Sequence, residues 1–149
     1  MKAKKYPKPV RVLHWLMAIL IFTQIALGFL MEDLGKDIIL VHTCLGSVIL
    51  LLATIRVLTV FRLKNALPLK PEDLSEKEWK MAAIGHKIIY ALLLIVPASG
   101  LAGFFSGEHD ILEIHETLVW IFIVLIAGHV GFTIKHQFLD KKKILQRMT

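Results

Sequence analysis

The chain alternates long apolar blocks with short polar ones. Four apolar stretches, at about 10–31, 38–61, 81–105 and 111–134, each reach the roughly 20 residues that a helix needs to cross the hydrocarbon core of a bilayer. Between them lie an acidic turn (EDLGKD), a charged connection from Lys64 to Lys80 that carries Pro68 and Pro71, and a second acidic turn (SGEHD). The pattern predicts an all-α transmembrane four-helix bundle. Residues 1–149 are expected to form one membrane domain, with no room for a soluble catalytic domain. A short extra helix is expected near Ser75, and a kink where Pro97 removes a backbone hydrogen bond from the third span. The first span exceeds a signal-peptide core and is followed by no small-x-small cleavage site, so it is expected to remain as a helix.

Charge orients the bundle. Lys2, Lys4, Lys5, Lys8 and Arg11 precede the first span; Arg62, Lys64, Lys70, Lys77 and Lys80 fall in the second connection; Lys135, Lys141, Lys142, Lys143 and Arg147 follow the last span. The opposite side has Lys36 alone beside Glu32, Asp33, Asp37, Glu108, Asp110, Glu113 and Glu116. The positive-inside rule places both termini and the middle connection in the cytoplasm. A net charge of +6 is then a signal of topology and of contact with anionic lipid, not of nucleic-acid binding. With 56% hydrophobic residues and a mean hydropathy of +0.65, a soluble domain is excluded. The lone Cys44 has no partner for an internal disulfide and is expected to pack between helices. Tyr6 and Trp15 suit the membrane interface.

Candidate chemistry centres on histidine, of which the chain has seven. Ionisable side chains within spans are costly and are functional candidates by default. His115 and His129 lie fourteen residues apart in the last span, which returns them to nearly one helix face about 21 Å apart along the axis. By depth, His42 and His115 fall near the outer side with His109 close by, and His14, His86, His129 and His136 toward the inner side. Two neutral imidazoles facing each other across a gap can hold a haem iron from both sides, leaving no open position, which suits electron transfer. Gly46 and Gly128 beside the candidate ligands leave room for a flat porphyrin, although glycine also serves close helix packing in lipid. Arg56, Arg11 and Lys87 on the inner side and Lys36 on the outer side are candidates for haem propionates, or simple interface anchors. His136 is expected to be solvated and His109 to sit in a loop; His86 is open between haem, quinone and proton roles. Trp120 and Tyr90 are expected to pack or to lie in the aromatic belt.

The segments RVLHW, VHTCLG, the Arg56 to Arg62 pair, GHKIIYALLLIVPASG and HVGFTIKHQFLDKKKILQRM, in this order over nearly the whole chain, resemble the prokaryotic cytochrome b561 family. The chain is also similar to the wider group containing formate dehydrogenase gamma and hydrogenase cytochrome b subunits. The resemblance implies two b haems in a bacterial inner membrane, one held by His14 with His129 and the other by His42 with His115. It implies electron transfer to or from a membrane quinone, in contact with lipid and with an external electron donor not identified by the sequence. It leaves His86 free for a quinone or proton role. Superoxide–quinone oxidoreductase activity is also raised by the resemblance, but seven carboxylates against one lysine on the outer side favour a cationic donor over a small anion. The alternative is a haem-bearing membrane anchor of a larger dehydrogenase or hydrogenase complex. Two haem-free alternatives are a transporter with histidine relay groups, and an outer metal site of His109, Glu113 and His115.

Overall fold

A computed structural model of the protein describes residues 5–67, 70–142 and 144–149, without the side chains of Glu32 and Leu34. Lys2, Lys4, Pro68, Lys143 and the side chain of Glu32, invoked above, lie outside these described residues. Four long helices dominate: α1 (Lys8–Leu34), α2 (Lys36–Arg62), α3 (Glu76–Ser106) and α4 (His109–Ile134). All four are long and apolar enough to cross a membrane. They overrun the apolar blocks because capping residues outside those blocks set the ends.

Pro7 and Pro9 start α1, where a missing N–H costs nothing. Gly35, at φ 78°, is the whole connection between α1 and α2: its N–H donates to Met31 O at 3.2 Å, and its carbonyl accepts from Ile38 N at 3.2 Å. Only a residue tolerant of positive φ reverses the chain so tightly. Ser75 caps α3 through a reciprocal capping box with Glu78, so the expected short helix at Ser75 is instead the first turn of α3. That helix continues through Pro97 as one element. Gly107, at φ 71°, closes it with an N–H bond to Gly103 O, and Glu108 leads into α4. His109 is therefore in the first turn of α4, not in a loop.

The short turns force α1 beside α2 and α3 beside α4, each pair antiparallel, with α2 against α3 joining the two hairpins. The bundle thus has a short-turn end and a tail end, the latter holding both ends of the described chain and the middle connection. Met17, Ile49, Ala53, Leu92, Leu93, Val96 and Phe122 form a core at mid-depth. Large apolar side chains instead cover the outside: Ile19 is 64% exposed, Leu51 62% and Val124 68%. A water-soluble monomer does not present so much apolar surface, and the molecule is a multi-pass membrane protein. Cys44 is on this exposed face, not packed between helices.

After α4 a π turn, Lys135–Leu139, redirects the chain. The tail then folds back over the bundle end. Tyr6 N–H donates to Arg147 O at 2.9 Å, Trp15 Nε1 to Met148 O at 2.8 Å, and Arg11 Nη1 to Thr149 O at 2.5 Å. The Arg147 guanidinium covers the Tyr6 ring.

Candidate cofactor sites

At the short-turn end, His42 of α2 and His115 of α4 face each other with ring centroids 6.5 Å apart and planes at 81°. Each ring rests against a glycine of another helix, Gly28 of α1 for His42 and Gly100 of α3 for His115. His115 Nδ1 donates to the main-chain carbonyl of Val96 at 2.9 Å. The Ser99 hydroxyl donates to the same carbonyl at 2.8 Å and lies 3.2 Å from His115 Nδ1. With its proton committed on Nδ1, the neutral ring keeps Nε2 as the lone-pair nitrogen, which is the arrangement of a metal-binding histidine. His42 Nδ1 and Gln24 Oε1 are both buried without a hydrogen-bond partner, although the Gln24 amide N–H holds His42 O at 2.9 Å.

A cleft of about 450 Å³ opens between the two rings, bordered by Gln24, Gly46, Pro97 and Leu101 among others. That is within the usual size of a cofactor site. Gly46 is buried beside it, where a Cβ would meet the Gln24 amide nitrogen at 3.2 Å. Lys36 opens α2 on the exposed surface.

At the tail end, His14 of α1 and His129 of α4 stand 6.3 Å apart between ring centroids, with planes at 65°. His86 of α3 is nearer to His129, at 5.0 Å, and its Nδ1 donates to Ala82 O of its own helix at 2.7 Å. Arg56 is buried at 6% exposure. Its Nη1 donates to Val10 O at 2.9 Å, its Nη2 lies 3.3 Å from His14 Nδ1, and its guanidinium covers the Tyr90 ring at 5.7 Å. Tyr90 is thus a partner of Arg56 and not a belt residue. Guanidinium only donates, so His14 accepts on Nδ1 in this contact; ligating a metal through Nε2 requires the proton on Nδ1 instead, which releases Arg56 Nη2 for another acceptor. Among the described residues no carboxylate pairs with Arg56, which leaves a buried cation with neutral partners only. Beside His129, a Cβ on Gly128 or Gly131 would meet nothing within 4 Å.

These distances test whether a haem iron fits. An imidazole nitrogen binds a metal at about 2.0–2.1 Å, so two rings on opposite sides of one iron have centroids about 6–6.5 Å apart. Both cross-bundle pairs match that span, and the cleft supplies room beside the outer pair. The closer pair, His86 with His129 at 5.0 Å, is too tight for an iron between them.

Other histidines fall elsewhere. His136, expected to be solvated, is 1% exposed. Its Nδ1 lies 2.6 Å from Asp140 Oδ2 and its Nε2 3.7 Å from Glu78 Oε1, because the π turn drives the ring under the tail. The two carboxylates meet opposite edges of the ring and already hold Lys135 and Lys142, so the cluster is an ionic latch and not a metal cradle. His109 pairs with Glu113 at 3.2 Å on the exposed side of α4, while His115 turns inward, so those three residues do not converge on a metal. Arg11 is engaged by the tail through Thr149 O. Gln24, Gly28, Ser99 and Gly100 were not singled out as site residues from sequence. Counting helical rise from the turns places Gly28 and Gly100 at the depth of His42 and His115, the signal that would have found them.

The family model described as prokaryotic cytochrome b561 matches residues 5–149. Cytochrome b561 homolog 2 of Escherichia coli (strain K12) is 26% identical over 163 residues, covering 91% of this chain and 86% of that protein. Four membrane helices, facing histidine pairs and a match over almost the whole length agree, and the chain belongs to the prokaryotic cytochrome b561 family of membrane haem b electron-transfer proteins.

Proposed function

We propose that the protein carries two b haems and moves electrons across the membrane between an external donor and a quinone. His14 with His129 holds the inner haem, and His42 with His115 the outer. The carrying observation is that both pairs are spaced for one iron, at 6.3 and 6.5 Å, at opposite ends of one bundle. Bound haem supplies a one-electron iron couple, and two protein ligands leave no position for oxygen or substrate. The chain orients the imidazoles from four rigid helices and excludes water from the space between the sites with its apolar mid-depth core. Arg56 is the buried cation available to an inner propionate, and Lys36 an exposed cation at the short-turn end for an outer one. Gly46 and Gly128 give the porphyrins room.

His86 stands beside the inner pair, with Nδ1 satisfied by Ala82 O and Nε2 free to meet a quinone oxygen or pass it a proton. The basic tail end is the cytoplasmic one, and both termini lie there. The acidic short-turn end favours a cationic donor over superoxide. Single substitutions test the assignment: His129→Ala removes the inner haem alone, and His42→Ala the outer alone, read in reduced-minus-oxidised spectra. Loss of both haems from either variant in folded protein contradicts it.

A further inference from the structure

Both outer histidines meet the same device on a neighbouring helix. His115 Nδ1 donates to Val96 O, and Gly100 lies four residues after Val96. The His42 ring lies beside the main chain of Gln24, its Nδ1 is buried without a closed hydrogen bond, and Gly28 lies four residues after Gln24. In a helix the carbonyl of residue i points at the N–H of residue i+4, and the Cβ of that residue flanks it. A glycine there uncovers the carbonyl, whose second lone pair can then accept from outside the helix.

The contacts are alike at both sites. A Cβ on Gly100 would fall 2.8 Å from His115 Cε1, 3.1 Å from its Nδ1 and 3.2 Å from its Nε2, and one on Gly28 would fall 3.4 Å from His42 Cε1 and 3.9 Å from its Nδ1. The Cε1 corner of each ring therefore lies in the space that a side chain would take. Packing alone does not explain this at Gly100, since the carbonyl so exposed is the one to which His115 Nδ1 donates.

We propose that Gly28 and Gly100 are positioning residues for the outer haem, each baring the carbonyl four residues earlier so that Gln24 O and Val96 O take the Nδ1 protons of His42 and His115 and turn both Nε2 lone pairs into the gap. The proposal rests on the two-haem reading. A hydrogen bond from Nδ1–H to a carbonyl fixes the tautomer and raises ligand basicity. Weakening it makes the imidazole a poorer donor and favours reduced iron.

The test is Gly100→Ala and Gly28→Ala in the full haem-loaded protein, followed by haem content, potentiometric titration and EPR. Gly100→Ala must drive the ring back by roughly 0.6 Å, from 2.8 Å to the ordinary contact of 3.4 Å. The expected result is loss of the outer haem, or a higher outer potential with a changed outer EPR signal, and an unaltered inner centre. Gly28→Ala, with contacts already at ordinary distance, keeps both haems and raises the outer potential by less, so it remains informative if Gly100→Ala does not fold. An outer centre unchanged in both variants, or inner and outer centres disturbed alike, overturns the proposal. Should wild-type protein hold no outer haem, the two-haem reading fails by itself. Nitrogen NMR of the full chain then decides the proposal, which expects His42 and His115 to be protonated on Nδ1 in wild type and no longer so beside each alanine.

Discussion

Removing Arg56 is the perturbation whose size the geometry predicts best. Its guanidinium is buried, lacks a carboxylate partner among the described residues and lies 3.3 Å from a ring nitrogen of His14. An iron held by the far side of that ring is on the order of 7 Å from the positive charge. With an effective dielectric of about 20, the interaction is about 2 kcal/mol, favouring the reduced, less positive iron. One electron moved through 100 mV corresponds to about 2.3 kcal/mol, so the charge is worth on the order of 100 mV as an upper value. Arg56→Met is therefore expected to lower the inner midpoint potential by tens of millivolts toward that limit, leaving the outer one in place, while Arg56→Lys retains most of the wild-type value. The assay is a spectroelectrochemical titration of purified protein in lipid nanodiscs. An inner potential that stays or rises, or an outer one that shifts as much, refutes the reasoning.

Three other substitutions follow from the same contacts. His86→Ala should keep both haems, because His86 is too close to His129 to share an iron with it, yet slow quinone reduction in stopped-flow assays; bleaching of one centre would show that the inner pairing is wrong. Gly103→Ala places a Cβ 2.6 Å from Leu112 Cδ2 and 3.3 Å from the Leu112 backbone nitrogen, so thermal melting should show a loss of roughly 1–3 kcal/mol from overpacking of the α3–α4 hairpin. Unchanged melting would mean that Leu112 yields freely. Asp140 holds Lys135 and the ring of His136, and the Lys135 hydrogen bond lowers the Asp140 carboxyl below its ordinary pKa. A depressed carboxylate lends stability that is present above its unfolded pKa and is lost as pH falls through the lower folded value. Protection of the tail amides against hydrogen exchange should thus be constant near neutrality and fall only in acid, whereas Asp140→Asn should expose the tail at pH 7; equal protection in that variant would sink the latch.

The four spans were legible because bilayer thickness imposes an apolar length that little else mimics, and His42, His115, His14 and His129 because polar groups at membrane depth are rare. Their mutual distances were not, since those depend on which helices face across the bundle. Gly35 and Gly107 make that choice by closing the hairpins, which their bare sequence positions do not reveal. The burial of His136 is hidden for a related reason. Its polar neighbours predict a solvated ring, but a π turn rotates it inward, and no side-chain pattern announces a change of helical pitch. Arg56 resembled an inside-positive anchor like Arg62; its burial becomes apparent only when Val10 and Tyr90 converge on it from α1 and α3.

Two haem centres in one chain are the central claim, and the haem-to-protein ratio by pyridine haemochrome, taken with a redox titration of the same purified sample, tests it most directly. Two b haems per chain that titrate as separate centres are expected. One haem per chain, after purification with ample haem supply, would contradict it and leave one of the two histidine pairs to other chemistry.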